Sequence, residues 1–468
     1  MNSRALAAEI ITECLEGTGQ SHLLLQEALR RHPEADARDR NLLTSLVHGT
    51  IGCALQLDAY LKPLSRVPVE KLKPYVRTVL RMGLYQLIYL DRIPASAVCN
   101  ESVKLIRKRM GDGLTGYVNG VLRAAARKES WEALSGAAAF SLPEELYDYL
   151  TALYGEAATQ VIGRAYLAPP VLWARVNTSR ATVEEAAASL KTEGYAAEQI
   201  DGLPGCLKLE RLRQTKTEGK TDSQRENQAE SQAESQRESQ AESRPLDALT
   251  AFRTGRIQLQ DKSAQLAVLA ADPKPGMKVL DLCAAPGGKS LQAADLMRDE
   301  GEVLACDISE EKIARIRDNI SRSGFGCVKA TVADATVFDP EKEGRFDLVI
   351  ADLPCSGLGT AGRKPEIKYR VTQEKIKELA ALQRQILKNA VRYARPGGKL
   401  LFSTCTLTRE ENTDNADWLR DACGLSPIPL ALPSECFAGA ETGCLQLLPE
   451  AGSGDGFFIS LFMKEKNG

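Results

Sequence analysis

Beyond about residue 246, short apolar runs alternate with amphipathic stretches, and this alternation constrains the fold more than any other feature of the sequence. The runs that predict strands are 277–283, 302–307, 329–333, 346–352, 399–405 and 456–463. The stretches that predict helices between them include 289–298, 310–321 and 373–394. Strands separated by helices indicate an α/β fold with a mostly parallel, doubly wound sheet. In such a sheet, ligands bind in the crevice outside the carboxyl ends of the strands.

The rest of the chain divides into three further regions. Residues 1–135 carry apolar side chains at helical spacing, as in the stretch 40–61, and predict an all-α bundle. Residues 136–213 predict a small α/β connecting module. Residues 214–245 repeat Gln, Ala, Glu and Ser and carry no large apolar side chain, so we expect a disordered insertion there. This multidomain chain then ends in the Rossmann-like α/β domain, residues 246–468.

The chain as a whole is not basic, with a formal net charge of −2 and a sequence pI of about 6.1. A protein that binds nucleic acid over its whole surface is usually more basic, so such contacts must come from local patches. One basic cluster lies on predicted helices and contains Lys104, Arg107, Lys108, Arg109, Arg123, Arg127 and Lys128. A second cluster follows Cys355 and contains Arg363, Lys364, Lys368 and Arg370. A basic loop at the mouth of a site suits a phosphate backbone.

Cysteine and histidine usage bounds the compartment and the chemistry. The twelve cysteines form no C-x-x-C pair, and neither a signal-peptide core nor an apolar run of membrane length is present. We therefore expect a reduced, cytoplasmic protein without a membrane partner. The three histidines are His22, His32 and His48. The C-terminal half thus has no histidine base and no histidine metal ligand, and we expect no metal there.

A glycine-containing turn joins the first strand and helix of the C-terminal domain. Its candidate cofactor-binding residues are Cys283, Ala284, Ala285, Pro286, Gly287, Gly288 and Lys289. Two glycines let the backbone approach a ligand closely, and the helix N-terminus offers free N–H groups. Asp307 ends the next strand, where a carboxylate can hold a ribose diol, and Asp334 follows the third strand, near the adenine end. The turn is not the dinucleotide pattern G-x-G-x-x-G, so we expect a cofactor that has a ribose but no phosphate to bind. The predicted cofactor is therefore S-adenosylmethionine.

Two cysteines follow two predicted strands of the same domain: Cys355 in Asp352-Leu353-Pro354-Cys355, and Cys405 in Ser403-Thr404-Cys405. The carboxyl ends of these strands face the cofactor crevice, so both thiols are catalytic candidates. Adding a thiolate to carbon 6 of cytosine makes carbon 5 nucleophilic enough to attack a methyl sulfonium. A thiol needs activation for this step. Asp352 is the candidate partner of the base edge and also borders the cofactor, and a second thiol or a water can assist removal of the proton on carbon 5.

These residues resemble the Sun family of RNA 5-methylcytosine methyltransferases over about residues 250–468. The turn at 281–289 resembles the family's cofactor motif, and Asp455-Gly456-Phe457-Phe458 resembles the start of its final strand. The resemblance implies that Cys405 is the nucleophile and that Cys355 assists product release. It also implies that Lys289 approaches the target base. Leu353 stands where the family often has alanine.

The N-terminal region resembles the RNA-binding NusB fold. The similar stretches are Asn100-Glu101-Ser102-Val103 and Tyr117-Val118-Asn119-Gly120-Val121-Leu122-Arg123. A NusB-like domain joined to this catalytic domain implies methylation of a cytosine in small-subunit (16S) ribosomal RNA. We expect a monomer that takes this RNA as its partner.

Three rival functions differ in how they use these features. In a DNA cytosine methyltransferase Cys355 would be the nucleophile and Cys405 structural. An RNA-binding assembly or antitermination factor would need only the helical domain and would leave the two thiols without a role. A dehydrogenase is disfavoured by the turn and by the lack of a histidine acid in this half of the chain.

Overall fold

The computed structural model describes residues 1–212, 246–432, 437 and 439–466, which form two compact units. The helical unit contains Met1–Pro170, Ser356–Gln373 and Pro449–Gly452. The sheet unit contains Val171–Cys355, Glu374–Leu448 and Ser453–Gly468. The predicted insertion at 214–245 lies outside the described residues.

The helical unit confirms the predicted all-α bundle. Its helices are α1 (Ser3–Glu16), α2 (Ser21–Arg31), α3 (Ala37–Gly52), α4 (Ala54–Leu61), α5 (Pro74–Tyr89), α6 (Ala95–Met110), α7 (Thr115–Ala126), α8 (Gly136–Ala139), α9 (Glu144–Tyr154) and α10 (Glu156–Leu167). Local signals set the helix ends: the Asn2 side chain accepts from the Ala5 N–H at 3.0 Å, and Pro74 occupies the first turn of α5. Helical spacing on α3 buries Leu43, Leu46 and Ile51 completely.

The loop that follows Cys355 belongs to the helical unit, and two of its basic side chains point inward. The Lys368 ammonium is fully buried and donates to the Gly52 carbonyl at 2.7 Å. The Arg370 guanidinium donates to the carbonyls of Cys14 at 2.6 Å and Gly19 at 2.7 Å. Backbone carbonyls exposed at the ends of α1 and α3 take the place of the expected phosphates. The prediction of a basic loop that contacts a phosphate backbone is therefore wrong for these two residues.

The connector in the sheet unit is a small α/β module, as predicted. It is built from β1 (Leu172–Val176), α11 (Val183–Thr192), β2 (Tyr195–Gln199), β3 (Cys206–Arg211), α12 (Thr250–Arg253) and β4 (Ile257–Leu259). The strands form an antiparallel sheet in the order β2-β3-β1-β4. Strand β4 thus joins this sheet although it follows residue 246, and the predicted domain boundaries stay predictions.

The large sheet confirms the predicted doubly wound α/β domain. Its strands are β5 (Lys278–Asp281), β6 (Glu302–Asp307), β7 (Val328–Val332), β8 (Phe346–Asp352), β9 (Ala394–Thr404), β10 (Ser426–Pro427), β11 (Cys444–Leu447) and β12 (Phe457–Met463). The order is β10-β12-β9-β8-β5-β6-β7, with β11 paired to β12. Strands β5 to β9 are parallel, whereas the edge beyond β9 is antiparallel.

Both faces of this sheet are covered, which explains why its strands are apolar on both sides. The remaining helices are α13 (Lys262–Ala271), α14 (Gly288–Leu296), α15 (Glu310–Ser323), α16 (Gln373–Tyr393) and α17 (Thr413–Asp421). On β5, Val279 packs in one core with residues of α13 to α15, and Leu280 packs in the other with residues of α16 and α17. The carboxyl ends of the parallel strands are therefore left for a site.

Candidate active site

The predicted cofactor turn lies between β5 and α14, at the carboxyl edge of the sheet. Gly287 has φ +103°, a left-handed conformation that a residue with a side chain rarely adopts. The Gly287 N–H donates to the Ala284 carbonyl, and the Ala284 N–H donates to the Cys306 carbonyl at 2.8 Å. These bonds fix residues Cys283–Lys289 as a tight loop that presents the N-terminus of α14 to the crevice.

Asp307 ends β6 directly beside this turn. Its carboxylate accepts from the backbone N–H of Ala285 at 2.9 Å and of Ile308 at 2.8 Å, and Lys312 lies 3.0 Å away. Asp307 therefore stabilises the turn, and it also lies where the sequence predicts a ribose contact. The Ile308 side chain is 60% exposed at this edge, although it is a large apolar residue. Sequence reasoning missed Ile308, whose signal was its place directly after the strand-ending aspartate.

Asp334 follows β7 and is exposed. Its carboxylate accepts from the backbone N–H of Thr336 at 2.9 Å and from the Thr336 hydroxyl at 2.7 Å. These bonds lower the pKa of Asp334, with the hydroxyl as the larger cause. The residue is thus a turn-forming aspartate at the same edge as Asp307, and its contact with an adenine ring stays a prediction.

Asp281 is a further candidate that the sequence placed in the turn but not among the cofactor contacts. It ends β5, is buried, and accepts a hydrogen bond from the Ser290 hydroxyl at 2.6 Å through Oδ2. Burial is the main cause that raises its pKa to about 7. Within the described parts of the chain, its buried Oδ1 finds no hydrogen-bond donor. A cationic amine, such as the ammonium group of S-adenosylmethionine, fits this orphaned oxygen.

The two candidate thiols meet at the ends of β8 and β9. These strands are parallel neighbours, with Asp352 opposite Ser403, and the Leu353 N–H donates to the Ser403 carbonyl at 3.0 Å. Cys355 follows β8 and Cys405 follows β9, and their sulfur atoms lie 3.4 Å apart. The order of strands in the sheet therefore brings together two cysteines that are fifty positions apart in the sequence.

Asp352, which ends β8 three residues before Cys355, forms an ion pair with Lys289. The Lys289 Nζ donates to Asp352 Oδ2 at 2.6 Å, and the Ser403 hydroxyl donates to Oδ1 at 2.8 Å. Lys289 Nζ also lies 5.1 Å from the centre of the Phe457 ring on β12. The ion pair connects the cofactor turn to the segment that carries Cys355. A residue that contacts both the cofactor and the base, as predicted for Asp352, must lie at such a place.

The surroundings of Cys355 favour its neutral thiol form. Its pKa is raised well above the usual range, first by its hydrogen bond with Cys405 and then by burial. The negative charges of Cys405, Glu411 and Asp352 act in the same direction. Cys283 in the turn also has a raised pKa, mainly through burial, so it is a structural thiol rather than a nucleophile.

Two residues of the basic cluster on the helices, Lys104 and Arg107, line an open groove in the helical unit. A cavity of about 600 Å³ is lined by residues that include Asn100, Lys104, Arg107 and Asn119. Several of the charges have acidic neighbours: Lys104 pairs with Glu101 at 2.7 Å, and Arg107 with the exposed Asp112 at 2.7 Å. These exposed pairs are weak and exchange readily with other anions.

The described helices include none that is long and apolar enough to cross a membrane.

Comparison with known proteins bears on both units. A family model described as 16S rRNA methyltransferase RsmB/F matches residues 268–463. The NusB family model matches residues 1–127, and a model of the ferredoxin-like domain of RsmF/B-like methyltransferases matches residues 142–215. Among solved structures, that of PH0851 has a TM-score of 0.77 at 26% identity and covers 99% of each chain. A methyltransferase homologue from Pyrococcus horikoshii has a TM-score of 0.55 at 26% identity, covering 72% of this chain and 99% of its own.

The Rossmann-like sheet, the glycine turn and the crevice beside it define a methyltransferase that uses S-adenosylmethionine. The probable ribosomal RNA small subunit methyltransferase B of Bacillus subtilis (strain 168) is 32% identical, covering 99% of this chain and 98% of its own length. The ribosomal RNA small subunit methyltransferase B of Klebsiella pneumoniae is 30% identical, covering 100% and 99%. The chain belongs to the ribosomal RNA small subunit methyltransferase B family.

Proposed function

We propose that this enzyme methylates carbon 5 of one cytosine in small-subunit (16S) ribosomal RNA, with Cys405 as nucleophile. The single observation that supports this most strongly is the 3.4 Å approach of two thiols beside the cofactor turn. Methyl transfer to an oxygen or an exocyclic nitrogen needs no nucleophile from the enzyme, because the accepting atom itself attacks the methyl group. Methylation at carbon 5 of cytosine needs a covalent adduct that must afterwards be released, and a pair of thiols suits both demands.

The cofactor, when bound, supplies an electrophilic methyl group on a sulfonium. The groups that would hold it are the backbone of the turn Cys283–Lys289, Asp281 through its orphaned oxygen, and Asp307 with Ile308 at the ribose and adenine end. The carboxyl group of Asp281 suits the ammonium of this cofactor, and that of Asp307 suits the ribose diol. Asp334 remains a candidate for the adenine end.

Cys405 begins the reaction by adding its sulfur to carbon 6 of the cytosine. Asp352 and Lys289 hold the edge of the base, since an ion pair offers an acceptor and a donor at one place. Once carbon 5 carries the methyl group, its proton leaves to a water and the bond between carbon 6 and sulfur breaks. Cys355 then donates its S–H to the departing Cys405 sulfur, which stabilises the thiolate as it leaves.

The helical unit is proposed to bind the RNA through the cluster of Lys104, Arg107, Lys108, Arg109, Arg123, Arg127 and Lys128. All of these side chains are exposed on α6, α7 or the residues just after them. They can add the local positive charge that the chain as a whole lacks. We also propose that the enzyme acts as a cytoplasmic monomer.

The test is methyl transfer to 16S ribosomal RNA from cells that lack the enzyme, using labelled S-adenosylmethionine. We expect label in 5-methylcytidine at one position after digestion to nucleosides, and none with Cys405→Ala. Cys423→Ala, which changes a cysteine away from the strand ends, is the matched control and should retain transfer. Label in another nucleoside, or unchanged transfer by Cys405→Ala, would refute the proposal.

A further inference from the structure

A buried glutamine of α16 holds the peptide that carries Cys355. Gln383 is fully buried, and its Nε2 donates to the Pro354 carbonyl at 2.9 Å. Its Oε1 accepts from Asn415 Nδ2 at 2.7 Å. Burying an amide is costly unless its hydrogen bonds are made, so this side chain has one favourable orientation. The residue immediately before Cys355 is thereby fixed from behind the site.

The same glutamine reaches a buried carboxylate, Glu411, which the reaction as described above does not use. Glu411 is completely buried; Gln383 Nε2 lies 3.4 Å from its Oε1, and the Thr408 hydroxyl donates to its Oε2 at 2.6 Å. Buried charges are retained only where surrounding groups satisfy them. Glu411 and the Pro354 carbonyl therefore share the Gln383 amide as a donor, so a change at one alters the hydrogen bonding of the other.

Among the described residues, the groups that raise the pKa of Cys355 lie on three segments. Cys405 lies at the end of β9, Asp352 at the end of β8, and Glu411 shortly after Cys405. All three act on Cys355 in the same sense and disfavour its thiolate, while Lys289 is engaged by Asp352. Two thiols at 3.4 Å share one hydrogen bond, so only one of them can be the anion while the other donates.

We propose that Glu411 is a positioning residue which, through Gln383 and its own charge, keeps Cys355 a neutral S–H donor and so leaves Cys405 as the nucleophile. This inference rests on the proposed function, and it adds the group that assigns the two roles. No bond to Glu411 forms or breaks: the proton stays on Cys355 while Cys405 attacks, and the same S–H later faces the departing sulfur. In this site, which has no histidine, a buried carboxylate thus sets the protonation of the thiol pair.

The test measures the ionisation of Cys355 directly, in a Cys405→Ser background that removes the partner thiol. The rate of Cys355 alkylation by iodoacetamide is followed by peptide mass spectrometry from pH 6 to 10. Adding Glu411→Gln should move the profile to lower pH, with about tenfold faster labelling at pH 8 for each pKa unit. Glu410→Gln, the same change at the partly exposed neighbouring position, should alter the rate less than twofold. Equal rates in the two variants would overturn the inference.

Thermal melting and calorimetric binding of S-adenosylmethionine show whether Glu411→Gln folds. If it does not, a second measurement on the unaltered protein tests the inference. In the unaltered protein at pH 7.5, Cys405 should be alkylated before Cys355, and the reverse order would overturn the inference.

The proposed function and the proposed role of Glu411 can fail independently. If Cys355→Ala traps an RNA adduct but Glu411→Gln leaves the labelling profile unchanged, the proposed function stands and the role of Glu411 falls. If Cys355→Ala traps nothing while the profile shifts, the role of Glu411 in ionisation stands and the proposed function falls.

Discussion

Replacing Lys368 with methionine should remove a large pH-dependent contribution to the stability of the helical unit. The ammonium is fully buried, and burial lowers its pKa from 10.5 to about 7, against the opposing effect of Cys53. Between about pH 7 and 10.5 the unfolded chain therefore binds a proton that the folded chain does not. Stability consequently rises with pH across this window, and below pH 7 the full penalty is present.

The magnitude follows from the lowered pKa. At about 1.4 kcal/mol per pKa unit, the penalty below pH 7 is about 5 kcal/mol, and it falls to about 1 kcal/mol at pH 10. Between pH 7 and pH 10, the free energy of unfolding of the unaltered protein should therefore rise by about 3 to 4 kcal/mol relative to that of Lys368→Met. The variant also removes one of two donors to the Gly52 carbonyl, which still accepts from the Tyr369 hydroxyl at 3.1 Å, and this costs about 0.5–1.5 kcal/mol independently of pH.

The assay must report on the helical unit alone. The protein is equilibrated in urea at each pH and then pulsed with a thiol reagent at one fixed pH, and labelling of buried Cys14 and Cys53 gives the unfolding midpoint. Lys364→Met, a few positions earlier and less buried, is the control and should follow the unaltered protein. A difference between Lys368→Met and the unaltered protein that stays constant from pH 7 to 10 would refute the reasoning.

Two further predictions concern the cofactor and the base. Lys289→Met breaks the 2.6 Å pair with Asp352 and should slow methyl transfer on the order of 100-fold while calorimetric affinity for S-adenosylmethionine changes little; a parallel loss of affinity would assign Lys289 to the cofactor instead. Because an ammonium ligand favours ionised Asp281, affinity for the cofactor should rise as pH increases through about 7, and Asp281→Asn should abolish that rise. Equal affinity of the unaltered protein at pH 6 and pH 8 would contradict this assignment.

Much of the fold could be predicted because its signals are local. The strands at 302–307 and 346–352 coincide with β6 and β8, since continuous apolar runs mark strands that are buried on both faces. The topology followed from the alternation with helices. The short strands β10 and β11 were missed, because two and four residues at an antiparallel edge carry no distinguishable period.

The candidate site could be predicted only where it lies at strand ends. Cys355 and Cys405 were found this way, because parallel order brings successive carboxyl ends to one edge. Gln383 and Glu411 were not, since their partners depend on how α16 packs behind the sheet. The inward direction of Lys368 was also beyond the sequence, because nothing local marks a lysine whose acceptor is the carbonyl of Gly52, more than three hundred residues away.

The most direct measurement of the central claim is a denaturing gel of labelled 16S ribosomal RNA incubated with S-adenosylmethionine and either Cys355→Ala or Cys405→Ala. We expect Cys355→Ala to accumulate a covalent protein–RNA band, because the adduct forms on Cys405 but is released slowly. We expect no such band for Cys405→Ala or for the double variant. A covalent band from Cys405→Ala, with none from Cys355→Ala, would make Cys355 the nucleophile and contradict the roles assigned here.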